Sequence, residues 1–192
     1  FPKSFQKGLS LFLYNKETRP IMSAFKYHNN RRLADFFIWE LFFQQYSQNY
    51  FHIYSKRYSH SHSRIYAAIE SLGIDAVIPV PIHKNKYKKR GYNQAEVFGR
   101  ALSKETGIAL DDKCIIRKKS TVPQKKLSNE MRKINLQKAF GVDRKICSEY
   151  KTVLLVDDIY TTGSTFDACA KVLKVAGVEK VYCLSVAVGR DG

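Results

Sequence analysis

The sequence predicts an α/β fold: a parallel sheet flanked by helices, with an N-terminal mainly helical extension. Three observations predict it. From residue 73 onward the segments run strand, helix, strand, long loop, strand, helix, strand. The strand segments are continuous apolar runs rather than alternating ones, the pattern of parallel strands buried on both faces. The two intervening helical stripes close on Gly107 and Gly177, the residue type that most easily takes the left-handed turn ending a helix. The texture changes at residue 73, so residues 1–72 are expected to form a hood-like extension packed on a core of residues 73–192.

The elements follow in order. Residues 9–14 (LSLFLY) alternate weakly and read as a short strand. A polar turn over residues 15–19 leads to Pro20, which suits the first turn of a helix over Ile21 to Tyr27. Leu33, Phe36, Phe37, Leu41 and Gln44 recur at helical spacing, predicting an aromatic helix over residues 31–45 that packs rather than holds a cofactor. Residues 46–64 carry His52, His60 and His62 among Tyr and Ser. His60 and His62 lack a neighbouring Cys or carboxylate, so a solvated loop is expected rather than a metal site. Ile65, Ile69 and Leu72 form a helical face that stops at Gly73. Ile74 to Val80 reads as a buried strand ended by Pro79 and Pro81. A basic loop follows, then a helix from Asn93 to Glu105 with Ala95, Phe98, Ala101 and Leu102 facing inward. Cys114 to Ile116 reads as a strand and residues 117–138 as a strongly basic stretch. Lys151 to Val156 is a continuous apolar strand. Phe166, Cys169, Ala170 and Leu173 make a helical stripe, and Val181 to Val188 is a last strand.

The chain of 192 residues is 44% hydrophobic, enough to bury one core with a small appendage. No run of 18 apolar residues exists, so no membrane insertion is expected. No charged segment followed by an apolar one opens the chain, so no secretory signal is expected. The four cysteines form no CxxC pair, so zinc is not expected. Cys169 and Cys183 lie in apolar segments and read as buried hydrophobes. Cysteines expected to be reduced, together with the missing signal, predict a cytoplasmic protein. The net charge is +16, from 33 Lys and Arg against 17 Asp and Glu. Such a surface attracts nucleic acid, phosphate-rich metabolites or anionic membrane, without specificity of its own.

Chemistry concentrates in residues 153–165, VLLVDDIYTTGST. An apolar strand delivers Asp157 and Asp158 to a small, hydroxyl-rich turn, Thr161, Thr162, Gly163, Ser164 and Thr165, from which a helix starts. Backbone amides of a tight turn at a helix start form a nest for phosphate. Gly163 allows close approach or positive φ. Two carboxylates repel that phosphate and suit sugar hydroxyls, or a divalent cation, on the same ligand. The combination describes a ribose phosphate. A GxxxxGK[ST] loop and a GxGxxG turn are both absent.

At these residues the sequence resembles the PRPP-binding motif of type I phosphoribosyltransferases. It is similar in particular to the ComF-type branch over nearly its whole length. Further shared features are Pro79-Val80-Pro81 with the basic stretch and RGYNQAE of Arg90 to Glu96. So are Gln124, Leu127, Arg132, Asn135 and Ala139-Phe140, and the early Phe25-Lys26-Tyr27 with Arg32-Leu33-Ala34. ComF-type proteins commonly begin with a four-cysteine zinc finger, whereas here no cysteine precedes Cys114, so a zinc function is not carried over.

The resemblance implies a type I phosphoribosyltransferase-like fold in which Asp157 and Asp158 bind the ribose hydroxyls, directly or beside magnesium, and Thr161 to Thr165 hold the 5-phosphate. It implies pyrophosphate near the loop after the first core strand, with His83, Lys84 and Arg90 as candidates and Lys84 and Arg90 as the catalytic ones. Where some purine-salvage members carry an acid, this chain has Thr161, which argues against a purine held that way. The basic stretches, with Lys84, Lys86, Lys88, Lys89 and Arg90 in one and Lys125 and Lys126 in the other, exceed what one pyrophosphate needs. They suit single-stranded DNA with Tyr87 and Tyr92 for stacking, a catalytic lid, or a solvated surface. Two functions remain open. One is a PRPP-binding protein of DNA uptake in natural transformation, contacting single-stranded DNA and other uptake proteins such as a helicase. The other is an active phosphoribosyltransferase of nucleotide salvage or biosynthesis with an unidentified acceptor.

Overall fold

The structure, a computed structural model, describes residues 3–43, 67, 69–118, 138–147 and 149–189. The elements are β1 (Lys7–Leu13), α1 (Thr18–Tyr27), α2 (Leu33–Phe43), β2 (Ala76–Pro79), α3 (Lys84–Arg90), α4 (Gln94–Thr106), β3 (Ala109–Leu110), β4 (Ile115–Arg117), β5 (Phe140–Val142), α5 (Arg144–Cys147), β6 (Thr152–Tyr160), α6 (Ser164–Val175) and β7 (Lys180–Val188). Among the described residues, five strands form one sheet in the order β1-β7-β6-β2-β3, and every pairing in it is parallel. This is the predicted α/β architecture.

The sheet is buried on both sides, which explains the continuous apolar strands. Val153 and Leu155 of β6 face one side, with Phe166, Cys169 and Leu173 of α6. Leu154 and Val156 face the other, with Phe25 of α1, Phe37 and Leu41 of α2, and Phe98 and Leu102 of α4. Phe25 and Phe37 meet edge to face at 5.3 Å between ring centres. The aromatic helix therefore packs, as its spacing predicts. The extension also supplies a strand: β1 lies in register along β7 from Lys7 opposite Tyr182 to Leu13 opposite Val188.

Three expectations are corrected. The basic loop after β2 is a helix, α3. The His83 Nδ1 accepts from the Asn85 amide at 3.1 Å, and Gly91 ends the helix at φ 78°. Lys and Arg are good helix formers, and three of them in the last turn suit the negative end of the helix dipole. The strand after Cys114 is not in the main sheet. Ile115 to Arg117 pair antiparallel with Phe140 to Val142, and the edge place beside β2 goes to the two residues of β3. Lastly, Cys114 and Cys147, expected to be reduced, form a disulfide with Cα atoms 5.5 Å apart, linking β4 to α5. A separation of 33 positions along the chain hid this pairing. Cys169 and Cys183 are free and buried, as their setting predicts. His52, His60 and His62 lie outside the described residues. No helix among those described is long and apolar enough to cross a membrane.

The close seat of α4 on the sheet depends on Gly99. A Cβ there would lie 3.0 Å from Leu110 Cδ1 and 3.1 Å from Val156 Cγ2. Replacing Gly99 by Leu should lower stability in urea unfolding by about 1–3 kcal/mol through overpacking.

Candidate functional site

The site stands at the carboxyl ends of β2 and β6, where open α/β sheets bind ligands. Successive residues of a strand point to opposite faces, so the two acids diverge. Asp158 is buried on the α1 and α4 side. Its Oδ2 lies 3.1 Å from Lys26 Nζ and 3.9 Å from Arg90 Nη1. Asp157, half-buried on the α6 side, accepts the Asp158 amide on Oδ1 at 2.8 Å. Burial pushes its carboxyl up to about 8, with the charge of Asp158 adding to the effect and Lys26 and Lys86 opposing it. Arg117 lies within electrostatic reach on that face. Burial lowers its pKa, and the charges of Cys169 and Asp157 pull the other way. Burial pushes the Cys169 thiol well up, so it is no nucleophile at neutral pH.

The turn is open for a ligand. Gly163 sits at φ 71°, and a Cβ there would overlap the Tyr160 phenol, which stacks on Phe166 at 5.9 Å between ring centres. Glycine is thus required twice. Thr162 Oγ1 and Ser164 Oγ are 2.8 Å apart. Among the described residues, the amides of Gly163, Thr165 and Phe166 donate to no protein oxygen. Lys3 Nζ donates to the Thr162 carbonyl at 2.7 Å, and the Ser4 amide donates to Asp167 Oδ1 at 2.8 Å. Phe5 packs edge-on against Tyr160 and Phe166. The segment before β1 thereby straps a cation beside the turn.

RGYNQAE is the joint that holds these parts together. Arg90 Nη1 donates to Gln94 Oε1 at 2.7 Å, and its guanidinium lies over the Tyr27 ring at 5.2 Å. A hydrogen bond from Arg90, and then its charge, lower the Tyr27 pKa. Tyr92 Oη donates to the Phe25 carbonyl. Asn93 Nδ2 donates to the Val80 carbonyl at 3.0 Å, while its Oδ1 caps α4 through the Ala95 amide. The motif thus ties α1, the end of β2 and Asp158 to one another.

The predicted residues are brought together unevenly. Asp157, Asp158 and Thr161 to Thr165 form one contiguous site, and Arg90 joins it through Asp158. His83 caps α3. Lys84 and Lys88 are exposed on α3, and Lys89 lies over Tyr27 at 5.7 Å. Tyr87 is exposed, but Tyr92 is buried and unavailable for stacking. Lys125 and Lys126 lie outside the described residues. Lys3, Lys26, Tyr27 and Arg117 were missed as site residues. Lys26 and Tyr27 had a signal in the Phe25-Lys26-Tyr27 feature, and Arg117 opens the basic stretch of residues 117–138. Lys3 stands 159 positions from its partner, and nothing local marks it.

Among the described residues no group of three or more His, Cys, Asp or Glu converges. One carboxylate is held by cations and the other faces away from it, so the residues do not make a cage for a resident metal. A magnesium ion carried on a ligand's phosphates, which keeps several waters, would need only one protein carboxylate from such a pair.

Residues 93–192 match the family described as phosphoribosyl transferase domain. The chain is 38% identical over 114 residues to Competence protein F of Haemophilus influenzae, covering 59% of this chain and 50% of that protein. It is 31% identical over 112 residues to DNA utilization protein YhgH of Escherichia coli K12, covering 57% and 48%. To Competence protein ComFC of Streptococcus pneumoniae it is 28% identical over 109 residues, covering 57% and 46%. The chain spans about half the length of these relatives. It belongs to the phosphoribosyl transferase domain family, with the type I fold, and within that family to the ComF-type branch.

Asp157 also sets a pH dependence. In the folded chain it holds its proton up to about pH 8, whereas in the unfolded chain it ionises near about pH 4. Between these values the folded state binds more protons, so stability falls as pH rises. Asp157→Asn should match the native protein in urea unfolding at pH 4. It should be the more stable of the two at pH 8 and above, by a margin that widens as pH rises from 4 to 8.

Proposed function

We propose that this protein binds PRPP through the turn after β6 and acts on or beside single-stranded DNA during DNA uptake, together with other uptake proteins such as a helicase. The observation that carries the reading is the turn at Thr161 to Thr165, with amides of Gly163, Thr165 and Phe166 that no described oxygen takes up, beside two acids. A 5-phosphate suits those amides and the Thr162 and Ser164 hydroxyls. Ribose hydroxyls suit the Asp157 and Asp158 carboxylates. Magnesium would supply charge neutralisation on the pyrophosphate, with Asp157 or Asp158 holding it through water. The names of the relatives, competence and DNA utilization proteins, support a role with DNA. So does α3, where five of seven residues are Lys or Arg and Tyr87 is exposed among them.

Turnover is the second reading, and the acid pair favours it, since a module that only binds DNA has no use for a sugar site. As pyrophosphate leaves C1 of the ribose, positive charge develops at C1 and negative charge on the departing oxygens. Fixed cations facing the leaving group would stabilise that separation.

Thermal unfolding with PRPP and magnesium tests the donor site. Ligand at 100 times its dissociation constant should stabilise the fold by about 2.7 kcal/mol. Asp157→Asn with Asp158→Asn should abolish the gain, and no shift at millimolar PRPP sinks the reading. Binding of labelled single-stranded DNA should weaken steeply with salt. Replacing Lys84 and Lys88 by Ala should reduce the slope of log affinity against log salt by roughly 1.4, about 0.7 per lost phosphate contact.

A further inference from the structure

Asp158, the acid that points toward α1, is met by cations from two directions. Its Oδ2 faces Lys26 Nζ at 3.1 Å and Arg90 Nη1 at 3.9 Å. The three side chains are largely withdrawn from water, Lys26 at 18%, Arg90 at 10% and Asp158 at 13% exposure. One carboxylate answers one cation. On the other face burial favours the neutral form of Asp157, with Arg117 within electrostatic reach, so that acid offers a cation little. Two largely withdrawn cations therefore share one carboxylate, and such a surplus of shielded positive charge is costly until an anion arrives.

The two cations on Asp158 differ in how they are held. Arg90 is fixed by Gln94 and by the Tyr27 ring as well, which leaves it little freedom to turn. Lys26 has, among the described residues, Asp158 as its one ion-pair partner, with its charge also felt by Asp157 and Tyr27. Its backbone is nevertheless firmly placed. Phe25 beside it is fully buried, and the Phe25 carbonyl accepts from Tyr92 Oη. A rigid anchor with a flexible four-carbon stem suits a cation that moves between two acceptors.

We propose that Lys26 is a catalytic residue of this site: its ammonium leaves Asp158 for the pyrophosphate of the bound ligand, and Asp158 is thereby freed to accept ribose hydroxyls. This rests on the reading of the site as a PRPP site. It explains why an acid suited to sugar hydroxyls is covered by a lysine from a distant helix: the ion pair holds the acid ready, and the ligand's own anion opens it. Arg90 stays with Gln94 and Tyr27 as the positioning residue.

Three ligands separate the roles. PRPP with magnesium, inorganic pyrophosphate with magnesium, and ribose 5-phosphate are titrated by calorimetry into the native chain, Lys26→Met and Lys26→Arg. Lys26→Gln replaces the methionine variant if that one does not fold, as judged by its unliganded melting curve. Removing the cation should weaken PRPP and pyrophosphate by roughly 10- to 100-fold, the worth of a hydrogen bond to a charged group. Ribose 5-phosphate should bind as well as before or better, because Asp158 is already uncovered, and Lys26→Arg should restore most of the PRPP affinity. An equal loss for all three ligands overturns the proposal, since it would mean that Lys26 only props up Asp158. Unchanged PRPP affinity overturns it as well. If the native chain binds none of the three, the PRPP reading itself fails.

Discussion

The burial of β6 on both faces is the constraint from which the rest follows. A strand with Val153 and Leu155 on one side and Leu154 and Val156 on the other must have apolar cover above and below, because neither face tolerates water. That demand recruits α6 on one side and α1, α2 and α4 on the other. It also recruits β1, since β7 would otherwise expose an edge. The N-terminal segment is therefore part of the sheet and of its covering layer. Its two ends arrive at the site for the same reason: Lys3 precedes the edge strand, and Lys26 ends the covering helix.

The alternation that fills the core also shapes the site. Where β6 runs on past the end of β2, still paired with β7, its side chains point alternately up and down. Asp157 and Asp158 therefore enter different surroundings, although they are neighbours in the chain. One lies on the α6 side, within electrostatic reach of Arg117, where burial pushes it toward its neutral form. The other lies against α1 and the α3–α4 joint, where two cations keep it company. Two carboxylates of equal intrinsic acidity thus meet different surroundings, one on each flank of the strand end.

Much of this was legible along the chain. The β6 segment and the turn at Thr161 to Thr165 form a local unit, so composition and order suffice to place a strand, an acid pair, a glycine turn and a helix start. The same holds for Gly107 and Gly177, and for the apolar stripe of α6. The helix α3 was not legible as one, because a run of Lys and Arg has no apolar periodicity, and its cap at His83 and stop at Gly91 carried the information instead. The pairing of β4 with β5 and the Cys114–Cys147 bridge join residues far apart in sequence, and no local pattern announces such partners.

By itself the sequence determined what short-range chemistry can determine: a parallel α/β sheet, strongly positive charge, and a hydroxyl-rich turn fed by two acids. Tertiary structure decided which charges meet. Lys26 reaches Asp158 across 132 positions of chain, because burying Phe25 carries its neighbour to the mouth of the sheet. The direction of each acid, the use of RGYNQAE as a joint and the nearness of Lys3 to the turn have the same origin. Electrostatic contacts of this kind depend on distances of a few ångströms, and such distances exist only once the chain has closed on itself.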